Sequence, residues 1–217
     1  MIHHEAVVRI PVGGVVIEGN LAIPSGAKGI ALFAHGSGSS RFSPRNRYVA
    51  KAFNAQKIAT LLFDLLTDEE DQEDLATAEY RFNINLLAER LIGATEWLKK
   101  DPQTKNLAFG YFGASTGAAA ALIAAAKLPN EIAAVVSRGG RPDLAASYLS
   151  RVAAPTLLMV GSLDEEVIEL NKQAMEQMTA EKKLVIVSGA THLFEEPGKL
   201  EEVAKLAADW FLRYLTK

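Results

Sequence analysis

The chain has 217 residues, of which 49% are hydrophobic, and a formal net charge of −3 at pH 7. That length and composition suffice for one sizeable hydrophobic core, so we expect a single domain over residues 1–217. The slight negative charge, with both signs spread along the chain, argues against nucleic acid or a membrane surface as a partner. The lack of cysteine excludes disulfides, a thiolate nucleophile and cysteine metal sites.

The N-terminal sequence lacks the basic-then-apolar pattern of a secretory signal peptide. Apolar runs elsewhere stay well short of the roughly 20 residues that a membrane-spanning helix needs. We therefore expect a cytoplasmic protein.

The pattern of apolar residues predicts a hairpin followed by alternating strands and helices. Two apolar runs, 7–12 and 15–23, flank Gly13-Gly14, and paired glycines supply the positive φ of a two-residue turn. Further strands are predicted at 30–34, 58–63, 107–112, 132–136, 155–160 and 184–187. Helices are predicted from about 44, 84, 116, 142, 165 and 199, and residues 64–79 are predicted to form an acidic loop. Such alternation favours an α/β fold with a parallel sheet and helices on both faces.

The strand predicted at 107–112 runs into the sequence Gly113-Ala114-Ser115-Thr116-Gly117, directly before an alanine-rich helix. In open α/β sheets the ligand site lies outside the carboxyl ends of the strands. A G-x-S-x-G sequence between a strand and a helix is typical of a turn that exposes a nucleophilic serine. We predict that Ser115 is a nucleophile, and the alternative is a small serine in a structural turn.

A serine hydroxyl needs a base, and a carboxylate that orients that base. Among the four histidines only His192 follows Ser115, in the loop after the last predicted strand, which matches the order Ser, Asp or Glu, His. Asp164 follows the strand at 155–160 by one short turn and is our predicted third member. The alternatives are a helix-capping His192, and three other carboxylates in place of Asp164: Asp143, Glu165 and Glu166.

An acyl-transfer site also needs N–H donors for the developing oxyanion. We assign one to the backbone of Thr116, directly after the nucleophile, and the other to the backbone of Ser37 in the loop "HGSGSS", with Gly36 as the near alternative. His35, at the start of that loop, is predicted to brace it. The loop is not a phosphate-binding P-loop, because no Walker lysine is present.

Two arginines, Arg138 and Arg41, follow the predicted strands near the same sheet edge and are candidates for binding a substrate carboxylate or phosphate. The alternatives are that Arg138 pairs with Asp143 and that Arg41 is solvated. The acidic run 68–74 lacks the spacing of a calcium loop. We interpret it as a solvated surface loop and predict no metal site.

Together these residues resemble the α/β-hydrolase superfamily, and most closely its dienelactone-hydrolase-like branch. The motifs are "AHGSGSS", "GYFGASTGAAAAL", "SRGGRPDL", "PTLLMVGSLDEEVIELN" and "GATHLFEEPG". The resemblance implies an eight-stranded, mostly parallel sheet with the second strand antiparallel, a triad of Ser115, Asp164 and His192, and neither a metal nor an organic cofactor. Dienelactone hydrolases carry cysteine in G-x-C-x-G, where this chain has Ser115.

We therefore expect a serine carboxylesterase that cleaves small soluble esters, as a monomer or homodimer. The segment between the strands at 132–136 and 155–160 is too short for a large cap domain, so we expect an open, shallow site. A thioesterase, lactonase or peptidase would use the same triad, and a non-catalytic binding protein of the same fold is a further alternative.

Overall fold

A computed structural model describes residues 2–216, with side chains from His4 onward. Its eight strands are β1 (Ile2–Val12), β2 (Val15–Pro24), β3 (Gly29–Ala34), β4 (Ile58–Phe63), β5 (Ala108–Ala114), β6 (Ile132–Arg138), β7 (Thr156–Gly161) and β8 (Lys182–Val187). Its α-helices are α1 (Pro44–Ala55), α2 (Asp68–Thr77), α3 (Ile84–Lys100), α4 (Thr116–Lys127), α5 (Glu165–Gln177) and α6 (Lys199–Leu215). A 3-10 helix spans Pro142–Arg151.

The strands form one sheet in the order β1-β2-β4-β3-β5-β6-β7-β8. β2 pairs antiparallel with β1 and with β4, whereas all the other pairs are parallel. The predicted hairpin and the mostly parallel eight-stranded sheet are confirmed. The carboxyl ends of β5 and β6 are adjacent, because Ala114 lies opposite Arg138 in the register. Residues that follow either strand therefore lie at the same edge of the sheet.

Helices cover both faces of the sheet, as the alternating pattern predicted. On one face, apolar side chains of α3, α4 and the 3-10 helix pack against the sheet in one core cluster. On the other face, α1 and α6 pack around Phe53, Phe112 and Phe211 in a second cluster. β3, β4 and β7 are buried along their whole length, as continuously apolar strands covered on both sides should be.

The segment predicted as an acidic loop contains a helix instead, so that prediction was wrong. α2 begins after Thr67, whose hydroxyl accepts the Glu70 N–H while the Glu70 carboxylate accepts the Thr67 N–H. This reciprocal capping box satisfies two of the N–H groups that a helix start leaves free. The helix has almost no buried face, so its sequence carries no apolar period to predict it.

The connection between β6 and β7 is the 3-10 helix, so no large cap lies over the sheet edge. No helix within residues 2–216 has both the length and the apolar character that crossing a membrane requires.

Candidate active site

Ser115 occupies a strained turn between β5 and α4. Its φ of 51° and ψ of −121° lie in a region that residues other than glycine rarely adopt. The Ser115 N–H donates to the Arg138 carbonyl at 3.2 Å, and its own carbonyl accepts the N–H groups of Ala118 and Arg141. The side chain is left partly exposed and makes no hydrogen bond within the described part of the chain. The backbone thus presents the Ser115 hydroxyl to the cavity beside it.

Helix α4, which begins directly after Ser115, packs closely against the end of β3. Every residue of α4 from Thr116 to Ala126 is buried, and a Cβ on Gly117 would stand 2.2 Å from the Ala34 carbonyl oxygen. Only glycine permits that approach. The helix N-terminus therefore lies directly against the end of β3, and the partial positive charge of its free N–H groups faces the Ser115 site.

His192 and Asp164 come together as the sequence predicted. The His192 ring nitrogen Nδ1 lies 2.6 Å from Asp164 Oδ2, although the two residues belong to different loops. Asp164 caps the start of α5, and its side chain is largely buried, whereas the His192 side chain is 38% exposed. A carboxylate in this position fixes the ring orientation and stabilises an imidazolium.

The rival carboxylates are engaged elsewhere. Asp143 accepts two hydrogen bonds from Arg141, at 2.9 and 2.7 Å, and so is not the partner of Arg138 either. Glu165 and Glu166 lie in the first turn of α5, where negative charge complements the helix dipole.

The loop that carries His192 is held from both sides of that residue. Glu196 Oε1 accepts hydrogen bonds from the Thr191 backbone N–H and from the Thr191 hydroxyl, the latter at 2.5 Å. The Thr191 hydroxyl is the largest of the influences that hold the pKa of Glu196 below its usual value. Phe194 is fully buried at a φ of 58°, a backbone strain that its packing against the second core cluster offsets.

The predicted oxyanion donors lie together, but one of them is already in use. The Ser37 N–H donates to the Thr116 hydroxyl oxygen at 3.0 Å, and the Ser37 and Thr116 hydroxyl oxygens are also 3.0 Å apart. An oxyanion could take the Ser37 N–H only in competition with the Thr116 hydroxyl. The Thr116 N–H begins α4 and lacks an intrahelical acceptor. Gly36 also lies close, since a Cβ on it would be 3.2 Å from Ser115 Cβ.

Ser115, His192 and Arg138 line one cavity of about 210 Å³, together with Gly36 and Ser37. Pockets for drug-sized ligands usually measure about 300–1,000 Å³. This cavity, which we call the Ser115 cavity, therefore suits a small ligand.

Arg138 is buried at the end of β6, with a side chain only 7% exposed in total. Its Nε and Nη1 atoms have no hydrogen-bond partner in residues 2–216. Burial, together with the positive charge of Arg45, lowers the pKa of Arg138 to about 10. At neutral pH the group therefore stays a cation, and it lines the Ser115 cavity without an ion-pair partner among the described residues.

Arg41, the other predicted substrate-binding arginine, does not line the Ser115 cavity. Its guanidinium pairs with Asp64 and, at 2.6 Å, with Glu18, and its backbone N–H donates to Asp64 Oδ1 at 2.8 Å. Glu18 belongs to β2 and Asp64 follows β4, strands that are neighbours in the sheet. The Arg41 guanidinium is not solvated, because both carboxylates hold it in an ion-pair network.

His35 braces the loop after β3. Its Nε2 accepts the Leu65 N–H at 3.1 Å, and its Nδ1 lies 3.0 Å from the Gly36 carbonyl, so the neutral ring donates from Nδ1. Burial lowers the pKa of His35, which favours this neutral form. The ring joins the ends of β3 and β4, as a bracing residue should.

The sequence analysis missed Arg45. It lies in the first turn of α1, lines the Ser115 cavity, and forms an ion pair with Glu195 of the His192 loop. Its position as the second residue of a predicted helix indicates nothing about the cavity, because only the packing of α1 beside the Ser115 turn brings it there. Glu196 was missed too, although its hydrogen bonds to Thr191 lie within one short loop.

Comparison with known proteins supports this architecture and a hydrolase family. A family model described as the dienelactone hydrolase family matches residues 48–216. The crystal structure of a dienelactone hydrolase from Anabaena variabilis is 59% identical, with a TM-score of 0.96 over 98% of both chains. A Pyrococcus furiosus esterase is 18% identical, with a TM-score of 0.77 over 98% of this chain and 92% of that one, and this likeness concerns the fold alone.

A curated relative from Mycobacterium tuberculosis is 55% identical over 208 residues, which cover 96% of this chain. That protein bears the name "Putative phosphoribosyl transferase", and the match covers 46% of its length. The chain thus spans about half the length of the curated relatives it matches.

Proposed function

The chain belongs to the dienelactone hydrolase family, and we propose that it is a serine esterase that hydrolyses small carboxylic esters through Ser115, His192 and Asp164. The observation that carries the proposal is the His192–Asp164 hydrogen bond of 2.6 Å on the wall of the cavity that also holds the strained Ser115. A base oriented by a carboxylate beside an exposed hydroxyl is the arrangement that activates a nucleophile.

The proposed reaction has two halves. His192 takes the proton of the Ser115 hydroxyl as its oxygen attacks the ester carbonyl, and then gives that proton to the leaving alcohol. Water, deprotonated by the same imidazole, attacks the acyl-enzyme and releases the acid and the free serine. Asp164 holds the ring in place and stabilises its cationic form during both halves.

The tetrahedral intermediates need two N–H donors. Thr116 supplies one from the start of α4, and the loop after β3 supplies the other through Ser37 or Gly36. Because the Thr116 hydroxyl holds the Ser37 N–H, use of Ser37 requires the hydroxyl to turn away when the oxyanion forms. One such donor typically contributes about 3 kcal/mol to lowering the barrier.

The name of the Mycobacterium relative refers to a protein more than twice as long as the matching segment. We infer hydrolysis for the present chain alone. The geometry around Ser115 supports acyl transfer, and thioesters or lactones would use the same groups.

The first test is covalent labelling with a fluorophosphonate, located by intact mass and peptide mapping. We expect labelling at Ser115 in the wild type and none in Ser115→Ala. The same substitution should reduce kcat for a nitrophenyl ester by about 10⁴-fold or more, and so should His192→Ala, with no further loss in the double variant.

A folded wild type that stays unlabelled would contradict the proposal and favour a binding protein of the same fold. If Ser115 is labelled, kcat/KM for an ester, a thioester and a lactone of the same acyl chain would rank the possible hydrolase activities.

A further inference from the structure

His192 depends on its neighbours in the chain for its position. Within residues 2–216 its backbone N–H and carbonyl form no hydrogen bond, and the only hydrogen bond of its side chain there is the one to Asp164. Its side chain is 38% exposed, so packing holds only part of the ring. The loop between β8 and α6, residues 188–198, must therefore be fixed by the residues on either side of His192.

Thr191, directly before His192, is held by the Glu196 carboxylate. Glu196 Oε1 accepts the Thr191 N–H at 3.2 Å and the Thr191 hydroxyl at 2.5 Å. One charged oxygen thus fixes both the backbone and the side chain of Thr191, and hydrogen bonds to a charged acceptor are about twice as strong as neutral ones. The Thr191 carbonyl also accepts the Phe194 N–H at 3.3 Å, so the loop closes on itself around His192.

We infer that Glu196 is a positioning residue for the catalytic base, and that it acts through Thr191 to hold the His192 ring between Asp164 and the Ser115 hydroxyl. This inference rests on the proposed function. It goes beyond it by adding to the triad a second carboxylate, which acts on the base through the backbone.

The rest of the loop is anchored without Glu196. A Cβ on Gly161 would stand 2.3 Å from the Ala190 carbonyl oxygen, so the loop lies against the end of β7 up to Ala190. Phe194 is buried in the second core cluster. Only three residues lie between these two anchors, and His192 is the middle one. Loss of Glu196 should therefore loosen His192 without unfolding the loop.

The negative charge of Glu196 is more than a structural brace requires. Its second oxygen, Oε2, is buried and has no hydrogen-bond partner within the described residues, and burying a charged oxygen without a partner is unfavourable. A glutamine could accept both Thr191 bonds through its amide oxygen without burying a charge. The Thr191 hydroxyl, as the largest influence, lowers the pKa of Glu196, so the group is an anion at neutral pH. A negative charge in this loop favours the imidazolium that forms during the reaction.

The first part of the test replaces Glu196. Glu196→Ala removes both bonds to Thr191, and we expect kcat for 4-nitrophenyl butyrate to fall about 10- to 100-fold, because reacting groups tolerate little displacement. KM should stay within about 2-fold, because His192 serves both halves of the reaction and both halves slow together. Glu196→Gln keeps an acceptor for Thr191 without the charge, so its kcat should fall only about 3-fold.

The second part replaces Thr191. Thr191→Val removes the hydroxyl and keeps the N–H, whereas Thr191→Ser keeps both groups. We expect kcat to fall about 10-fold in Thr191→Val and to stay near the wild-type value in Thr191→Ser. The double variant Thr191→Val/Glu196→Ala should be no slower than Glu196→Ala, because both changes break the same interaction. Glu169→Ala removes a 62% exposed carboxylate of α5 and serves as the matched control with unchanged kcat, because an exposed ion pair contributes little.

A proton NMR signal separates positioning from a general loss of structure. The His192 Nδ1–H, bonded to Asp164 at 2.6 Å, should give a resonance downfield of the amide protons in the wild type and in Glu169→Ala. We expect this signal to broaden or vanish in Glu196→Ala, while the melting temperature stays within about 4 °C of the wild type.

Fluorophosphonate labelling of Ser115 in the wild type separates the two failures. With the wild type labelled, unchanged kcat and an unchanged NMR signal in Glu196→Ala would overturn the positioning role and leave the esterase intact, and so would a rise in KM at constant kcat. Equal kcat in Thr191→Val and Thr191→Ser would also overturn it, and this comparison holds even if Glu196→Ala does not fold. An unlabelled wild type would overturn the esterase itself and the inference with it.

Discussion

Arg41 and Arg138 lie at the same edge of the sheet in opposite surroundings. Arg41 lines a cavity of about 320 Å³ whose other charged groups are Glu18, Asp64 and further acids of α2, and it pairs with the first two. Arg138 faces the smaller Ser115 cavity with no carboxylate partner in residues 2–216. The positive charge in the larger cavity is thus paired with carboxylates, whereas in residues 2–216 the smaller cavity has a positive charge beside Ser115 without a carboxylate partner.

The two cavities share one wall, the loop after β3. Ser39 lines both cavities, whereas Gly36 lines the Ser115 cavity and His35 lines the cavity that contains Arg41. The contrast teaches that burial of an arginine does not by itself indicate its role. The presence or absence of a partner distinguishes a group that stabilises the fold from one that is available to a ligand.

The largest expected effect is a difference in the free energy of unfolding between the variants Arg41→Met and Arg138→Met. Arg41→Met leaves Asp64 without its cation, and we expect the free energy of unfolding to fall by about 2 kcal/mol. Most of this loss comes from Asp64, since the Glu18 side chain is 49% exposed and an exposed ion pair contributes little. Arg138→Met should cost nothing, or stabilise by about 1 kcal/mol, because it removes an uncompensated charge.

Urea denaturation of both variants, with m-values compared to confirm the same two-state unfolding, gives these free energies. Equal losses for Arg41→Met and Arg138→Met would mean that Arg138 has a structural partner after all.

A smaller effect is expected from Gly36→Ala on the Ser115 side of the shared loop. The new Cβ would lie 3.2 Å from both the Ala114 carbonyl oxygen and Ser115 Cβ, so the loop and the turn must separate by a few tenths of an ångström. We expect kcat to fall about 10-fold, because reacting groups tolerate little displacement, while the free energy of unfolding falls by less than about 1 kcal/mol. Steady-state kinetics with a nitrophenyl ester and a urea titration measure the two quantities, and unaltered kcat would show that Gly36 does not position the site.

The smallest effect is a pH dependence on the Arg41 side. Burial lowers the pKa of His35 in the folded protein, so the unfolded chain binds a proton more readily at this residue. The contribution of His35 is fully present above its unfolded pKa of about 6.5 and is lost as the pH falls below that value.

The urea midpoint of the wild type at pH 7.5 should therefore exceed that at pH 5.5 by more than it does in His35→Gln. Glutamine cannot take up the proton, and it keeps an acceptor for the Leu65 N–H. Identical pH dependence in the two proteins would show that His35 is not the titrating group.

Much of the site follows from local sequence because each catalytic candidate stands at a strand end. Ser115 follows an apolar strand and precedes a helix, and Asp164 and His192 follow the last two strands, so a parallel sheet alone brings them to one edge. The fold could also be predicted from local sequence, because buried strands and amphipathic helices have distinct patterns of apolar residues. All eight strands were predicted from the residues themselves, and the resemblance to a known family added that the second strand is antiparallel in an otherwise parallel sheet.

The remaining features of the site depend on contacts between residues that are far apart in the sequence. Arg41 is paired because β2 lies beside β4, an order that the strand pattern does not determine. Arg45 reaches the Ser115 cavity only through the packing of its helix. The helix α2 was missed because it lacks an apolar stripe, although Thr67 and Glu70 have the spacing of a capping box.

The burial of α4 has a consequence for how the protein loses activity on heating. Its residues from Thr116 to Ala126 are buried and mostly alanine, so no part of this helix can reach solvent without detaching from the sheet, from α3 and from the 3-10 helix that pack around it. Its amide hydrogens should therefore exchange with deuterium only at the rate of global opening, far more slowly than those of the polar helix α2. The support of Ser115 should thus persist until the whole protein melts, and thermal inactivation should coincide with unfolding instead of preceding it.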